Sequence, residues 1–274
     1  MYTYYISKRT SIIDGQAKHK LCLFNRPRRK CVDTEELNVY NQLDKWSNRR
    51  YKSVNYSAPV AAKRDSNVES LRRAVRSVFD LIYFGICRDS KLLTLTFGEP
   101  CFSREHVAVS IKHMCTRYLR DHHQPLAYLS VLELHPGGHG YHVHMLVNTP
   151  YISQAAWQDD LWQQGIVDIR SLGKRGSGYS DSKVAHYLVK YMEKDASALP
   201  PGSRRYNVSL AWPKRPPTEY LQFEDYEAAY EWFQQVEHQS VFKCDAFRSV
   251  LPTGEIVQSL SVAGLLPAVD PVGV

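Results

Sequence analysis

Paired cysteines are missing from this chain. Its six cysteines (Cys22, Cys31, Cys87, Cys101, Cys115, Cys244) are scattered over 274 residues with no C-x-x-C spacing, which argues against a disulfide framework and an all-cysteine zinc site. They read as reduced thiols. No run approaches the roughly 18 apolar residues of a membrane span, and Met1-Tyr2-Thr3-Tyr4-Tyr5 lacks the basic-then-apolar pattern of a secretory leader. The expectation is a soluble, cytoplasmic protein with no membrane partner. There is no internal repeat and no G-x-x-x-x-G-K-[ST] loop, since Gly173-Lys174 does not fit it, so neither a nucleotide cofactor nor a nucleotide-driven helicase is expected.

Acidic residues are scarce toward the amino terminus. Residues 1–75 hold 16 Lys and Arg against 7 Asp and Glu, a surplus of nine positive charges, while the rest of the chain is slightly acidic. The basic clusters include aromatics and Asn, as in Phe24-Asn25-Arg26-Pro27-Arg28-Arg29-Lys30 and Trp46-Ser47-Asn48-Arg49-Arg50-Tyr51-Lys52. Such a segment suits a polyanion, because each neutralised phosphate releases counterions; it also suits a solvated arm. With no sustained apolar period, residues 1–65 are expected to be a basic extension, partly disordered.

From there the pattern sharpens. Ser66-Asn67-Val68-Glu69 is a capping box, and Leu71, Val75, Val78, Phe79 and Ile82 follow at helical spacing until Gly85. Lys91–Gly98 reads as a strand, Ser103–His122 as an amphipathic helix, and Leu126–Leu134 and Gly140–Val147 as strands joined by the turn His135-Pro136-Gly137-Gly138. A helix at 153–163, a strand at 166–170, a helix at 181–194, a basic strand at 204–210 and a helix at 224–237 complete the series. This order predicts an α+β domain at 66–215, with a largely antiparallel five-stranded sheet flanked by helices that cover one face. Residues 216–244 are expected to be a helix packing on that domain, and 245–274 a loose tail.

Two clusters carry chemistry. In Glu133-Leu134-His135-Pro136-Gly137-Gly138-His139-Gly140-Tyr141-His142-Val143-His144, strand period places the imidazoles of His142 and His144 on one face, with Val143 opposite. Glu133, on the preceding strand, can add a carboxylate and complete a three-ligand site with open positions. His135 shares the face of Glu133 and competes for that role. The second cluster is Val184-Ala185-His186-Tyr187-Leu188-Val189-Lys190-Tyr191-Met192-Glu193-Lys194, in which Tyr-x-x-Lys occurs twice. A phenol becomes a useful nucleophile when a nearby cation lowers the cost of phenolate, and a lysine one turn away can do that or protonate a leaving oxygen. The same tyrosines, with Val184 and Leu188, would equally form a core stripe.

Taken with Leu92-Leu93-Thr94-Leu95-Thr96, these clusters resemble the rolling-circle replication initiators of the HUH endonuclease superfamily. Those proteins show an "FLTLT" strand, a His-hydrophobe-His strand and a helix with the hydrophobe-x-x-Tyr-hydrophobe-x-Lys pattern, here LLTLT, His142-Val143-His144 and Val184–Lys190. The tandem tyrosines look like the Rep proteins of single-stranded phages and related plasmids. The resemblance covers about residues 66–215. It implies that His142, His144 and Glu133 hold Mg2+ or Mn2+. It also implies that Tyr187 or Tyr191, with Lys190 and Lys194, nicks single-stranded origin DNA through a 5′-phosphotyrosine link and later rejoins the strand. A host helicase and polymerase are the implied partners, in a bacterial cytoplasm. Of the two tyrosines, Tyr187 stands first in the family order and is expected to attack first. Lys174, Arg175, Arg204 and Arg205 are candidate contacts to the DNA backbone, and Tyr179, Tyr206 and Trp212 candidates for base stacking.

Other classes fit parts of the pattern. A non-catalytic nucleic-acid-binding module would leave Glu133, His142 and His144 without a purpose. A transposase or relaxase shares the metal and tyrosine chemistry, but relaxases commonly place the tyrosine near the amino terminus and use three histidines. Hydrolysis by metal-activated water would survive loss of both tyrosines.

Overall fold

Asp14 and Gly15, at φ 50° and 76°, turn the first strand back on itself, the backbone shape a tight two-residue hairpin requires. The computed structural model describes residues 2–24, 28–29, 66–135, 137–172, 181–194, 204–239, 245–250, 256–263 and 266. These divide into two compact units: Ile13–Gly15 with Asp65–Pro216, and the remainder.

The smaller unit is a sheet built from both ends of the chain. Strands β1 (Tyr2–Ile13) and β2 (Gln16–Phe24) form the hairpin, and β3 (Arg28–Arg29) pairs with Tyr2 and Thr3 of β1. Three later strands, β9 (Glu219–Phe223), β10 (Asp245–Val250) and β11 (Ile256–Ala263), complete it in the order β10-β11-β2-β1-β3, with β9 also on β1. Ile6, Leu21, Leu23, Leu260 and Val262 alternate inward against Ala229, Trp232, Phe233 and Val236 of the helix Tyr226–Gln239.

Three expectations are thereby corrected. Residues 2–24 are sheet rather than an extension, 245–263 contribute two strands rather than a loose tail, and the helix 226–239 packs on this sheet. The apolar positions are few and alternate, and their partners lie more than 200 residues away in sequence. A local window cannot see them.

In the larger unit, β4 (Ser90–Leu95), β5 (Ala127–Leu134), β6 (Tyr141–Asn148), β7 (Val167–Ser171) and β8 (Asn207–Val208) form a five-stranded antiparallel sheet ordered β7-β4-β6-β5-β8. The fold is α+β, as the sequence reads, but helices cover both faces. On one face α1 (Ser66–Tyr83) and α4 (Asp181–Lys194) bury Leu92, Leu129, Val131 and Leu146. On the other, α2 (Arg104–His122) and α3 (Ala156–Trp162) bury Leu93, Leu95, Val143, Met145 and Val147. Two-sided burial explains why β4 and β6 are apolar at nearly every position. The basic strand expected at 204–210 shrinks to Asn207–Val208. Trp212, offered above for base stacking, is 2% exposed and donates its indole N–H to the Leu81 carbonyl at 3.1 Å.

Helix α2 starts at an N-cap, Ser103, whose hydroxyl accepts from the His106 amide at 3.1 Å. Helix α3 is wound in π turns and closes through Gln163, whose amide donates to the Gln158 carbonyl at 2.8 Å. That wider winding lets the neighbours Leu161 and Trp162 both bury, with Trp157.

Candidate active site

Antiparallel pairing sets the register of the site. Glu133 on β5 stands directly opposite His142 on β6, and Thr94 on β4 stands opposite His144. Directly paired residues share a face, so Glu133, His142, His144 and Thr94 all point toward α1 and α4. Asp168 and Arg170 of β7 continue that face to its edge, where they form an exposed ion pair at 3.2 Å.

Glu133 and His144 are 6% and 3% exposed, and Oε2 of the first lies 2.8 Å from Nε2 of the second. A buried charge needs such a partner. The other imidazole nitrogen, Nδ1, faces two hydroxyls: Thr94 Oγ1 at 3.4 Å and Tyr187 Oη at 3.5 Å. Thr94 is a site residue that the motifs above did not single out; pairing LLTLT against His-Val-His, with the period of two, would have placed it there.

Helix α4 brings both tyrosines onto this histidine, in different ways. Tyr191 stacks flat on the His144 ring, with centroids 3.8 Å apart and planes at 8°, while Tyr187 meets the same ring edge-on at 5.6 Å. Tyr191 is 7% exposed, and burial raises its phenol pKa above the ordinary value, with its hydrogen bond to Tyr187 and the charge of Glu133 adding to the effect. Tyr187 is half-buried. Lys190, exposed, sits with its ammonium 5.7 Å from the Tyr191 ring centre. The core-stripe alternative thus holds in part for Tyr191.

His142 stands apart from the Glu133–His144 pair. Its ring lies 4.9 Å from that of His135, which in turn lies 5.0 Å from His139. Burial lowers the His142 pKa, helped by His135 and His139 and opposed by Glu133. No group of three His, Cys, Asp or Glu side chains converges on one point among the described residues. The chemistry of the donors still fits a divalent cation. Adjacent ligands each ~2.1 Å from one ion at a right angle lie about 3 Å apart, and the 2.8 Å between Glu133 and His144 is close to that spacing.

The remaining candidates are scattered. Lys174, Arg175, Tyr179 and the Lys194 side chain lie outside the described residues. Arg204 is exposed, with its carbonyl accepting from Arg104 at 3.1 Å, and Arg205 and Tyr206 are half-buried, the latter against the α1–α4 core.

Gly140 fixes the hairpin that carries these residues. It sits at φ 76°, and a Cβ there would run into the backbone of Cys101. The close approach lets the Tyr141 amide donate to the Cys101 carbonyl at 2.6 Å, tying β6 to the segment before α2.

Residues 90–196 match a family model of replication-associated proteins, the ORF2 type. The matched segment runs from the first residue of β4 to just past α4, so it contains all the residues of the Glu133–His144–Tyr187 arrangement. No curated protein and no solved structure matches the chain. No helix among the described residues is long and apolar enough to cross a membrane.

Proposed function

We propose that the larger unit is a metal-dependent, site-specific endonuclease and strand transferase for single-stranded DNA that initiates rolling-circle replication by tyrosine transesterification. The observation that carries this reading is the convergence of Tyr187, from α4, on the imidazole that pairs with buried Glu133. Packing alone does not ask for a phenol, an imidazole and a carboxylate in one line beneath a replication-associated match.

Glu133, His142 and His144 would hold Mg2+ or Mn2+. A cation bound there supplies Lewis-acid stabilisation of the charge that builds on the phosphate oxygens in the transition state. His144 Nδ1 and Thr94 hold the Tyr187 hydroxyl at the edge of that site. Tyr187 Oη attacks phosphorus; the Oη–P bond forms and the P–O3′ bond breaks. The phenol proton passes to water, and the Lys190 ammonium, one turn from Tyr187, returns a proton to the leaving O3′. A 5′-phosphotyrosine and a free 3′-OH result, and the same steps in reverse reseal the strand without ATP.

Tyr187 is the first nucleophile in this reading, because Tyr191 is buried, stacked and held protonated, whereas Tyr187 is half open. Tyr191 serves the second transfer once DNA has displaced its packing. The decisive experiment incubates the full chain with single-stranded oligonucleotides from its own replicon and Mn2+, then resolves covalent adducts on a denaturing gel. Tyr187→Phe abolishes the adduct and Tyr191→Phe retains it. An adduct kept by Tyr187→Phe alone makes Tyr191 the initiator, and cleavage that survives loss of both tyrosines makes the enzyme a hydrolase.

A further inference from the structure

The largest cavity of the unit, about 840 Å³, is not the Glu133–His144 site but lies at the end of β4 that leads away from it. Its walls are the segment Phe97–Ser103, His106 at the start of α2, and Gln163 and Gln164 after α3. It is held rigidly. Phe97 is braced edge-on by Trp162, at 5.0 Å, and at an angle by His106, at 5.7 Å, while Trp162 donates its indole N–H to the Thr96 carbonyl at 2.7 Å. The Gly98 amide donates to the Gln164 carbonyl at 2.7 Å, closing the wall.

Three features describe what would occupy it. First, Phe102 leaves 61% of its surface in solvent at the rim, a large ring that no part of the described unit covers. Second, the polar side chains are Gln163, Gln164 and Glu99, amides and a carboxylate. They suit the donor and acceptor edges of a base, and the carboxylate disfavours a phosphate. Third, past Ser103 a smaller slot of about 200 Å³ lies between Arg104 and Arg204, with Asn207 and a floor of Val107, Ile111 and Leu132. Two guanidinium groups over a small slot suit a backbone phosphate. Arg104 also lies 5.8 Å over the Tyr141 ring.

The cavity is also fastened to the reactive strand. Cys101, in its wall, is bridged to Gly140, two residues before His142. Phe97 is three residues beyond Thr94, about 10 Å at strand rise, and Thr94 touches His144. A strand whose phosphate sits at Tyr187 therefore has a neighbouring nucleotide within reach.

We infer that this cavity receives an unpaired nucleobase flanking the scissile phosphate, stacked on Phe102 and read at its edge by Gln163, Gln164 and Glu99, with the adjoining phosphate held by Arg104 and Arg204. It would make the site selective for the bases beside the nick. The inference rests on the single-strand reading proposed above.

The test measures affinity of the full chain for a fluorescein-labelled oligothymidylate as a function of salt, alongside adduct formation on replicon oligonucleotides. Stacking contributes ~1–3 kcal/mol per base, so Phe102→Ala, at an exposed position, weakens binding about 5- to 150-fold with an unchanged salt slope. Arg204→Ala instead reduces the slope by about one. Photocrosslinking of a 5-iododeoxyuridine oligonucleotide maps to the peptide containing Phe97 or Phe102. Wild-type adducts and binding, with Phe102→Ala within twofold of wild type and crosslinks elsewhere, overturn the base site and leave the nicking reading intact. A wild-type chain that neither binds the strand nor forms adducts overturns both.

Discussion

Two glycines in the hairpin between β5 and β6 share one backbone conformation and differ only in surroundings. Gly138 and Gly140 both sit at φ 76°, but a Cβ at Gly138 meets nothing within 4 Å, whereas one at Gly140 strikes the nitrogen, carbon and oxygen of Cys101. Alanine in the left-handed region costs about 1–2 kcal/mol, and this is the whole native-state cost expected of Gly138→Ala. Gly140→Ala adds displacement of backbone, which cannot swing aside as a side chain can. It loosens two hydrogen bonds, from the Tyr141 amide to the Cys101 carbonyl and from the His135 amide to the Gly140 carbonyl, at ~1 kcal/mol each. The sum is about 3–4 kcal/mol. The stiffer unfolded chain of an alanine variant offsets both alike, so the difference of about 2 kcal/mol is the firmer quantity. For a unit of this size 1 kcal/mol moves Tm by ~2–4 °C, so Gly140→Ala should melt about 4–8 °C below Gly138→Ala by calorimetry. It should also lose cleavage, because His142 follows two residues later. Equal melting points for the two variants would refute the steric reasoning.

Burial keeps His142 neutral in the folded state, so its folded pKa lies below the unfolded value near 6.5. The unfolded chain then binds the proton more tightly; stability is full above that pH and falls as pH drops through it. Urea midpoints should show this, and His142→Asn should flatten the dependence. Cys115, whose thiol burial raises to about 11, should alkylate near neutral pH far more slowly than a small free thiol, as read by peptide mass spectrometry. Trp212→Ala should lower stability by ~3–5 kcal/mol in denaturant titration while leaving single-strand affinity per folded molecule unchanged, since the indole is buried against Leu81 rather than offered to a base.

The larger unit was legible because its signals are local. A capping box at Ser66, the Ser103 cap, period-two alternation at His142 and His144 and the apolar runs of β4 and β6 each lie within a short window. The smaller unit was not, because Leu21 and Leu23 find Leu260 and Val262 only across the whole chain, although Asp14-Gly15 was itself a hairpin signal. At the site, sequence reading brought Glu133, His144 and the tyrosines together. It did not show that His142 turns toward His135, nor that Tyr191 is the buried member of the pair. Those depend on rotamers and on how α4 rests on the sheet.

The most direct test of the account is the identity of the residue that carries DNA. Covalent complex formed with Mn2+ is digested with trypsin and nuclease, and the nucleotide-bearing peptide is sequenced by mass spectrometry, with a chelator-treated sample beside it. The account requires a 5′-phosphoryl nucleotide on Tyr187, absent under chelation. A nucleotide on serine, or a strand cut by Mn2+ with no modified peptide, would contradict it.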